Sequence, residues 1–307
     1  MPNRSPRLPV SSPNGCDEQR DEGSGVDLNT VTSYRFATSR ADLALAPGEK
    51  VLGGGTWLFS EPQPDVTGLV DLSTMPWPDL EVGEAGLRIS ATCTIARLVA
   101  FAEGTDAAGE GPALPGDWVA ASAFPVAANA LLASFKVWNT ATVGGNVCQS
   151  FSAASIVSLA VALDGDAVIW TPDGGERRQS VASLMTGNGT NGLAPGEVLR
   201  AVDLPTHALR SRTLLRKIAL AELGRSGAVV TARQDVDGAC IFTVTAATLT
   251  PTVLRFEVLP DPAALAAAVG AAPGYYTDPL GPADWRRAVS IVLAAELRSE
   301  LIAGSAT

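Results

Sequence analysis

Apolar and polar residues alternate over Leu87-Arg88-Ile89-Ser90, the period-two spacing of a strand with one face inside. Short apolar runs predict further strands at Lys50–Leu52, Gly68–Leu72, Ala167–Thr171 and Val198–Leu204, and Asp173-Gly174-Gly175 supplies a turn after one of them. Asp237-Gly238, with alternation from Cys240 to Leu249, reads as a hairpin. Elsewhere the spacing is helical. Thr94 is placed to cap a helix through Leu98, Val99 and Ala102, and Ile156, Leu159, Ala160 and Leu163 share one face of a helix over Ala153–Leu163. Helices are also predicted over Tyr34–Leu45 and Ser226–Arg233. A terminal helix starts at Asp284 and carries a stripe of Trp285, Ala288, Val289, Val292, Leu293 and Leu297. The uncharged run from Trp118 to Phe135 is Ala-rich and interrupted by Pro125 and Asn129, so a buried helix with its entry loop is expected rather than a membrane span.

These elements divide the chain into a tail over residues 1–27, a small α/β lobe over 28–85, a second lobe over 86–205 ending at Pro205, and a third region over 206–307. The tail is rich in Pro, Ser and charge without apolar periodicity, and is expected to be disordered. With 307 residues, 46% hydrophobic and 18% charged, the chain is long enough for two or three lobes of ordinary globular composition. Its formal net charge of −10 excludes nucleic acid and anionic membrane surfaces as partners. Prolines at 2, 6, 9 and 13 occupy the place where a signal peptide needs its apolar segment, so a cytoplasmic location is expected. Cys16, Cys93, Cys148 and Cys240 lack paired spacing, which points to isolated thiols rather than a disulfide framework, a zinc site or an iron–sulfur site.

The candidate chemistry lies in two glycine-bearing turns. Thr142-Val143-Gly144-Gly145-Asn146 feeds an Ala-rich apolar helix, and Leu52-Gly53-Gly54-Gly55-Thr56-Trp57-Leu58-Phe59 follows a predicted strand. Adjacent glycines let backbone amides approach an anion, and a helix start adds its positive dipole end. Two such turns predict one ligand with two phosphates, gripped by the amides of both. The upstream turn is not the Gly-x-Gly-x-x-Gly fingerprint, because Leu58 occupies the third glycine position, so a simple Rossmann NAD site is disfavoured. The negative chain must hold phosphate with local N–H groups and a few nearby cations.

The order of four segments resembles the flavin-binding medium subunit of the molybdenum hydroxylases, the group containing xanthine dehydrogenase and carbon monoxide dehydrogenase. These are Gly53-Gly54-Gly55-Thr56, Thr142-Val143-Gly144-Gly145-Asn146 with a helix ending Ala162-Leu163-Asp164, Pro195-Gly196-Glu197-Val198-Leu199 running into Asp203-Leu204-Pro205, and Asp284-Trp285-Arg286-Arg287. The resemblance covers roughly Leu28 to Leu301. It implies an α+β fold in which two α/β lobes form a PCMH-type FAD-binding unit, followed by a C-terminal α/β domain like that of the carbon monoxide dehydrogenase flavoprotein. It also implies FAD as cofactor, with residues 52–59 as the first pyrophosphate loop and 142–146 as the second. Leu199 would contact the flavin ring, and Arg216 or Lys217 would stand where the family often has a lysine near the ring or its attached chain. Ser155 takes the place of the family's usual aspartate facing the adenosine sugar, and a serine hydroxyl bonds a ribose more weakly than a carboxylate.

The same resemblance implies an oxidoreductase subunit with no catalytic residue of its own. Electrons would pass from a small [2Fe–2S] subunit through FAD to NAD+, oxygen or another acceptor, while a large molybdenum cofactor subunit oxidises substrate. The assembly would be a hetero-oligomer, with a dimer of heterotrimers as one arrangement. The alternative reading is a docking subunit of the same fold with weak or lost flavin binding, motivated by Ser155. A free-standing flavin oxidase of the vanillyl-alcohol type is disfavoured by the short region after Thr213. His207, the only histidine, is expected in a loop without a catalytic role, and Arg177-Arg178 and Arg286-Arg287 are expected to be solvated.

Overall fold

The computed structural model describes residues 28–105, 111–131, 135–221 and 224–304; the tail expected over 1–27 lies outside them. The first sheet is parallel, with Gly68–Asp71, buried at every position, between Ser33–Phe36 and Glu49–Leu52. The helix expected over Tyr34–Leu45 is instead the edge strand Ser33–Phe36 followed by a 3-10 turn at Arg40–Leu43. Pairing with the distant strand 68–71 overrides the local pattern. The Asp42 carboxylate then fixes the turn by accepting from the amides of Thr38 at 2.9 Å and Ser39 at 2.8 Å.

The second sheet is antiparallel, in the order Leu80–Gly83, Gly86–Ser90, Val198–Pro205, Asp166–Trp170, Glu176–Ser180. Leu80–Gly83 pairs with Gly86–Ser90 as a hairpin, so this sheet starts before the boundary expected at residue 86. It shares one core with the helices Ile95–Glu103, Ala123–Ala130 and Ser155–Ala162, in which Leu98, Phe124, Ile156 and Leu159 are all but fully buried. Each such side chain contributes about 1.5–3 kcal/mol of hydrophobic stabilisation. The run from Trp118 becomes a 3-10 turn and the helix Ala123–Ala130, and residues 132–134 lie outside the described residues.

An aromatic and cationic stack joins the two lobes. Arg40 of the first lies 4.6 Å over the ring of Trp170 in the second and donates to the carbonyls of Thr171 and Gly175. Trp170 meets Trp77 edge-on at 5.3 Å, and Arg200 covers Trp77 at 4.5 Å. Cation–π contacts of this kind contribute about 0.5–2 kcal/mol each.

The third region is a four-stranded antiparallel meander of Arg212–Ile218, Ala228–Gln234, Cys240–Thr245 and Thr252–Phe256, packed against the helices Pro262–Gly270 and Ala283–Gly304. The segment expected as a helix over Ser226–Arg233 is thus a central strand. Residues 228–233 are buried on both faces, which removes the alternation that marks a strand. The terminal helix is present, but the face it buries runs through Arg286, Ser290, Leu293, Ala294, Leu297 and Leu301, while Val292 is exposed.

An ionic cluster around the buried Arg233 fastens this region to the second lobe. Arg233, 1% exposed, donates to Asp164 at 2.5 Å, to Asp235 at 2.7 Å and to the Ala162 carbonyl at 2.9 Å, and Arg255 reaches Asp164 at 2.5 Å. His207, in the short helix Thr206–Leu209, adds a contact to Asp164 at 3.3 Å. Burial alone would raise the Asp164 pKa; the hydrogen bond from Arg255 and the charge and hydrogen bond of Arg233 outweigh it and hold the carboxyl at about 2, against an ordinary 3.8. Because the folded value is depressed, this contribution of roughly 2 kcal/mol is complete above the unfolded pKa and is lost as pH falls toward the folded one. Asp164→Asn is therefore expected to lower the urea midpoint at neutral pH, with the gap to wild type closing as pH falls from 3.8 to about 2. A gap that stays constant across that window would mean that Asp164 does not act through its charge.

Candidate functional site

The two glycine turns meet. Strand Glu49–Leu52 delivers the first at the carboxyl end of the parallel sheet, where ligands of α/β sheets gather. A methyl group on Gly54 would overlap the Thr140 carbonyl oxygen, and one on Gly53 would stand 2.8 Å from Thr142 Oγ1, so only glycine lets the turns approach this closely. Gly55 adopts φ +69°, a left-handed conformation that turns the chain back so that the Phe59 amide donates to the Gly55 carbonyl at 2.9 Å. A cleft of about 630 Å3, within the range that holds cofactors, opens beside the junction.

The turns divide the work unequally. Among the described residues, the amides of residues 53–58 donate to no acceptor, and they form one wall of the cleft. The amides of the second turn are already used: Val143 donates to the Cys93 carbonyl at 2.8 Å, Gly144 to Ala91 at 2.9 Å, Gly145 to Thr142 Oγ1 at 3.0 Å and Asn146 to the Thr142 carbonyl at 3.0 Å. The expectation of amides converging from both turns is corrected accordingly. The second turn is held on the connection between strand 86–90 and helix 95–103 and offers the cleft bare backbone at Gly144 and Gly145, while the helix it opens, Val143–Gln149, runs for only seven residues. The Asn146 side chain accepts from the Ile156 amide at 3.0 Å through Oδ1, leaving Nδ2 as a donor for a ligand.

Leu52, Gly53, Gly54, Gly55, Thr56, Trp57, Leu58, Thr142, Gly144, Gly145, Asn146 and Leu199 all line the cleft. Five expected site residues do not. Val143 is fully buried in the core beneath its turn. The Phe59 ring backs Gly55 and borders a smaller cavity of about 420 Å3 on the other side of the glycine loop. Along strand Arg212–Ile218, Leu215 faces the core, Arg216 pairs with Glu300 of the terminal helix at 2.5 Å, and Lys217 donates to the Asn129 carbonyl at 3.1 Å. Those partners draw both cations away from the cleft. Ser155 stands just behind the lining residues Ala153 and Ala154; it is 1% exposed, and its Oγ has no hydrogen-bond partner. Such a buried hydroxyl costs about 1–3 kcal/mol until a partner meets it.

Phe151, Arg225, Glu197 and Cys148 line the cleft without being among the expected site residues. Phe151 packs edge-on against Trp57 with centroids 4.6 Å apart, and Arg225 lies over Phe151. Glu197 is the acidic side chain of the lining. Arg177 binds it through two hydrogen bonds of 2.6 and 2.5 Å, which hold its pKa below the usual carboxylate range and offset its repulsion of an anion. Arg177, expected to be solvated, thus has a structural partner. Cys148 also lines the cleft, and burial pushes its thiol up to about 12, so it stays protonated and uncharged there. Open amides, small residues at the closest approach and apolar walls fit a long ligand with a central anionic bridge.

Residues 33–207, more than half of the chain, match the FAD-binding domain in molybdopterin dehydrogenase. The chain belongs to this family. Both turns of this FAD-binding chain fall inside the matched segment, and FAD is the cofactor that their geometry fits. The fold is shared with quinoline 2-oxidoreductase from Pseudomonas putida 86, at 19% identity over 89% of this chain and 97% of that one, with a TM-score of 0.71. Reconstituted CO dehydrogenase from Oligotropha carboxidovorans gives 19% identity over 86% and 95%, also with a TM-score of 0.71. Carbon monoxide dehydrogenase from Hydrogenophaga pseudoflava gives 18% identity over 87% and 95%, with a TM-score of 0.69. At such identities the likeness establishes the α+β fold. No curated protein sequence matches the chain. Among the described residues, no helix is long and apolar enough to cross a membrane.

Proposed function

We propose that this chain is the electron-transfer subunit of a molybdenum hydroxylase, passing electrons from a [2Fe–2S] subunit through FAD to NAD+ or another acceptor. The observation that carries the reading is the row of unpaired amides over residues 53–58, facing a cleft that the second glycine turn closes. Those amides hold the diphosphate, and Gly144 and Gly145 leave room for it beside them. Asn146 Nδ2 serves the sugar and phosphate side, and Leu199 and Trp57 offer apolar surface to the rings. Bound flavin supplies the redox chemistry; the protein binds it, orients it and excludes water. The FAD-binding unit spans the two lobes over 28–205, and residues 206–307 form the C-terminal domain, which brings Arg225 to the cleft.

Substrate oxidation belongs to a partner chain carrying the molybdenum cofactor, in a hetero-oligomer with the [2Fe–2S] chain. The folds shared with quinoline 2-oxidoreductase and with CO dehydrogenases support such an assembly. Purified full-length chain is expected to show flavin absorbance and to release FAD on denaturation, and an iron–sulfur chain is expected to copurify from its source. A colourless chain that stays empty after incubation with FAD would overturn the reading in favour of a docking subunit.

A further inference from the structure

Two cationic side chains line the cleft, Lys50 and Arg225. Lys50 Nζ lies 3.5 Å from Gln63 Oε1. Arg225 comes from the loop between strands 212–218 and 228–234, and its guanidinium carbon stands 5.5 Å from the centroid of Phe151. Phe151 in turn meets Trp57 of the glycine loop, so this short stack ties the C-terminal region to the wall with the open amides. Most other arginines are engaged. Arg88, Arg177, Arg178, Arg216, Arg233, Arg255 and Arg286 each bind a carboxylate. Arg225 has no hydrogen-bond or ion-pair partner among the described residues, although its guanidinium carries five N–H donors. The one acidic residue among the lining, Glu197, is already held by Arg177 and by the Ala194 amide at 2.7 Å, so it does not compete for Arg225.

Unpaired amides and an unpaired guanidinium on one cleft both call for an anion, in a chain whose net charge of −10 would otherwise repel one. We infer that Arg225 is the countercharge for the cofactor's diphosphate, and that it makes the cleft prefer FAD to a flavin without phosphate. The inference rests on the FAD reading above. Oxidised flavin is neutral at its ring, so the diphosphate is where a cation gains most.

Fluorescence titration of flavin-free, full-length chain with FAD and with riboflavin tests it in wild type, Arg225→Lys and Arg225→Gln. Arg225→Gln is expected to weaken FAD binding about tenfold to thirtyfold and riboflavin binding less than about twofold, while Arg225→Lys retains most of the FAD affinity. Raising salt from about 50 to about 500 mM is expected to weaken FAD binding in wild type and to matter little in Arg225→Gln. Unchanged FAD affinity in Arg225→Gln would overturn the inference and leave the FAD reading standing. Equal losses for both ligands would also overturn it, making Arg225 a ring contact. A wild-type chain that binds neither ligand defeats the FAD reading and this inference with it.

Discussion

Replacing Gly54 with alanine is expected to weaken FAD binding by about a hundredfold, because the added methyl group overlaps the Thr140 carbonyl oxygen and forces the two turns apart. The backbone of Thr140 cannot swing aside as the end of a flexible side chain could. Thr140 is tied into its own turn by its amide, which donates to the Val137 carbonyl at 3.0 Å, and the following residues are fastened to Cys93 and Ala91. The glycine loop must therefore move, and with it the six amides that face the cleft. Gly83→Ala provides the control: a methyl group there meets nothing within 4 Å, so affinity and stability should match wild type. Titration with FAD, together with a thermal melt of the flavin-free chain, separates the outcomes. A Gly54→Ala chain that binds FAD as tightly as wild type would show that the close approach of the turns is not needed.

The two turns were legible in the sequence because glycine runs announce backbone positions that no side chain can occupy. Their division of labour was not. Whether an amide is free depends on what lies opposite, and the second turn spends its donors on carbonyls of Ala91 and Cys93, far away in sequence. The same cause explains the misread elements. Ser33–Phe36 is a strand because Gly68–Asp71 pairs with it, and Ala228–Gln234 loses its alternation because sheet neighbours and helices bury both of its faces. Strand Gly86–Ser90 and helix Ile95–Glu103 kept their periodicity, each with polar residues on one face, and could be read locally. The family resemblance points to Arg216 and Lys217 as the cations of the site, where Glu300 and the Asn129 carbonyl occupy both, while Arg225 sits in a glycine-flanked loop with no pattern to mark it.

Arg286 was also misplaced by its sequence context, since an Arg-Arg pair near the start of a long helix reads as solvent-facing. It is fully buried. Its guanidinium donates to the carbonyls of Gly227 at 2.6 Å, Ala246 at 2.7 Å and Gly281 at 3.2 Å, pairs with Asp278, and lies 4.1 Å over the ring of Tyr276. One side chain thus pins the terminal helix to two strands' ends and to the loop before it. Arg286→Met keeps the volume but strips the Gly227 and Ala246 carbonyls of their donor and leaves the Asp278 carboxylate without its countercharge, and is expected to lower stability by about 3–5 kcal/mol, read from urea unfolding. Arg286→Lys should recover only part of this, because an ammonium cannot match the planar fork or its stacking on Tyr276. The effect should reach the cleft, since the Gly227 carbonyl lies two residues from Arg225 and Ser226 Oγ ties that loop to the Ala130 carbonyl at 3.2 Å. Under conditions where Arg286→Met remains folded, its FAD affinity should fall. Combined with Arg225→Gln, the loss should be smaller than the sum of the two, because both act on the same guanidinium. Full additivity would show that Arg286 serves stability alone.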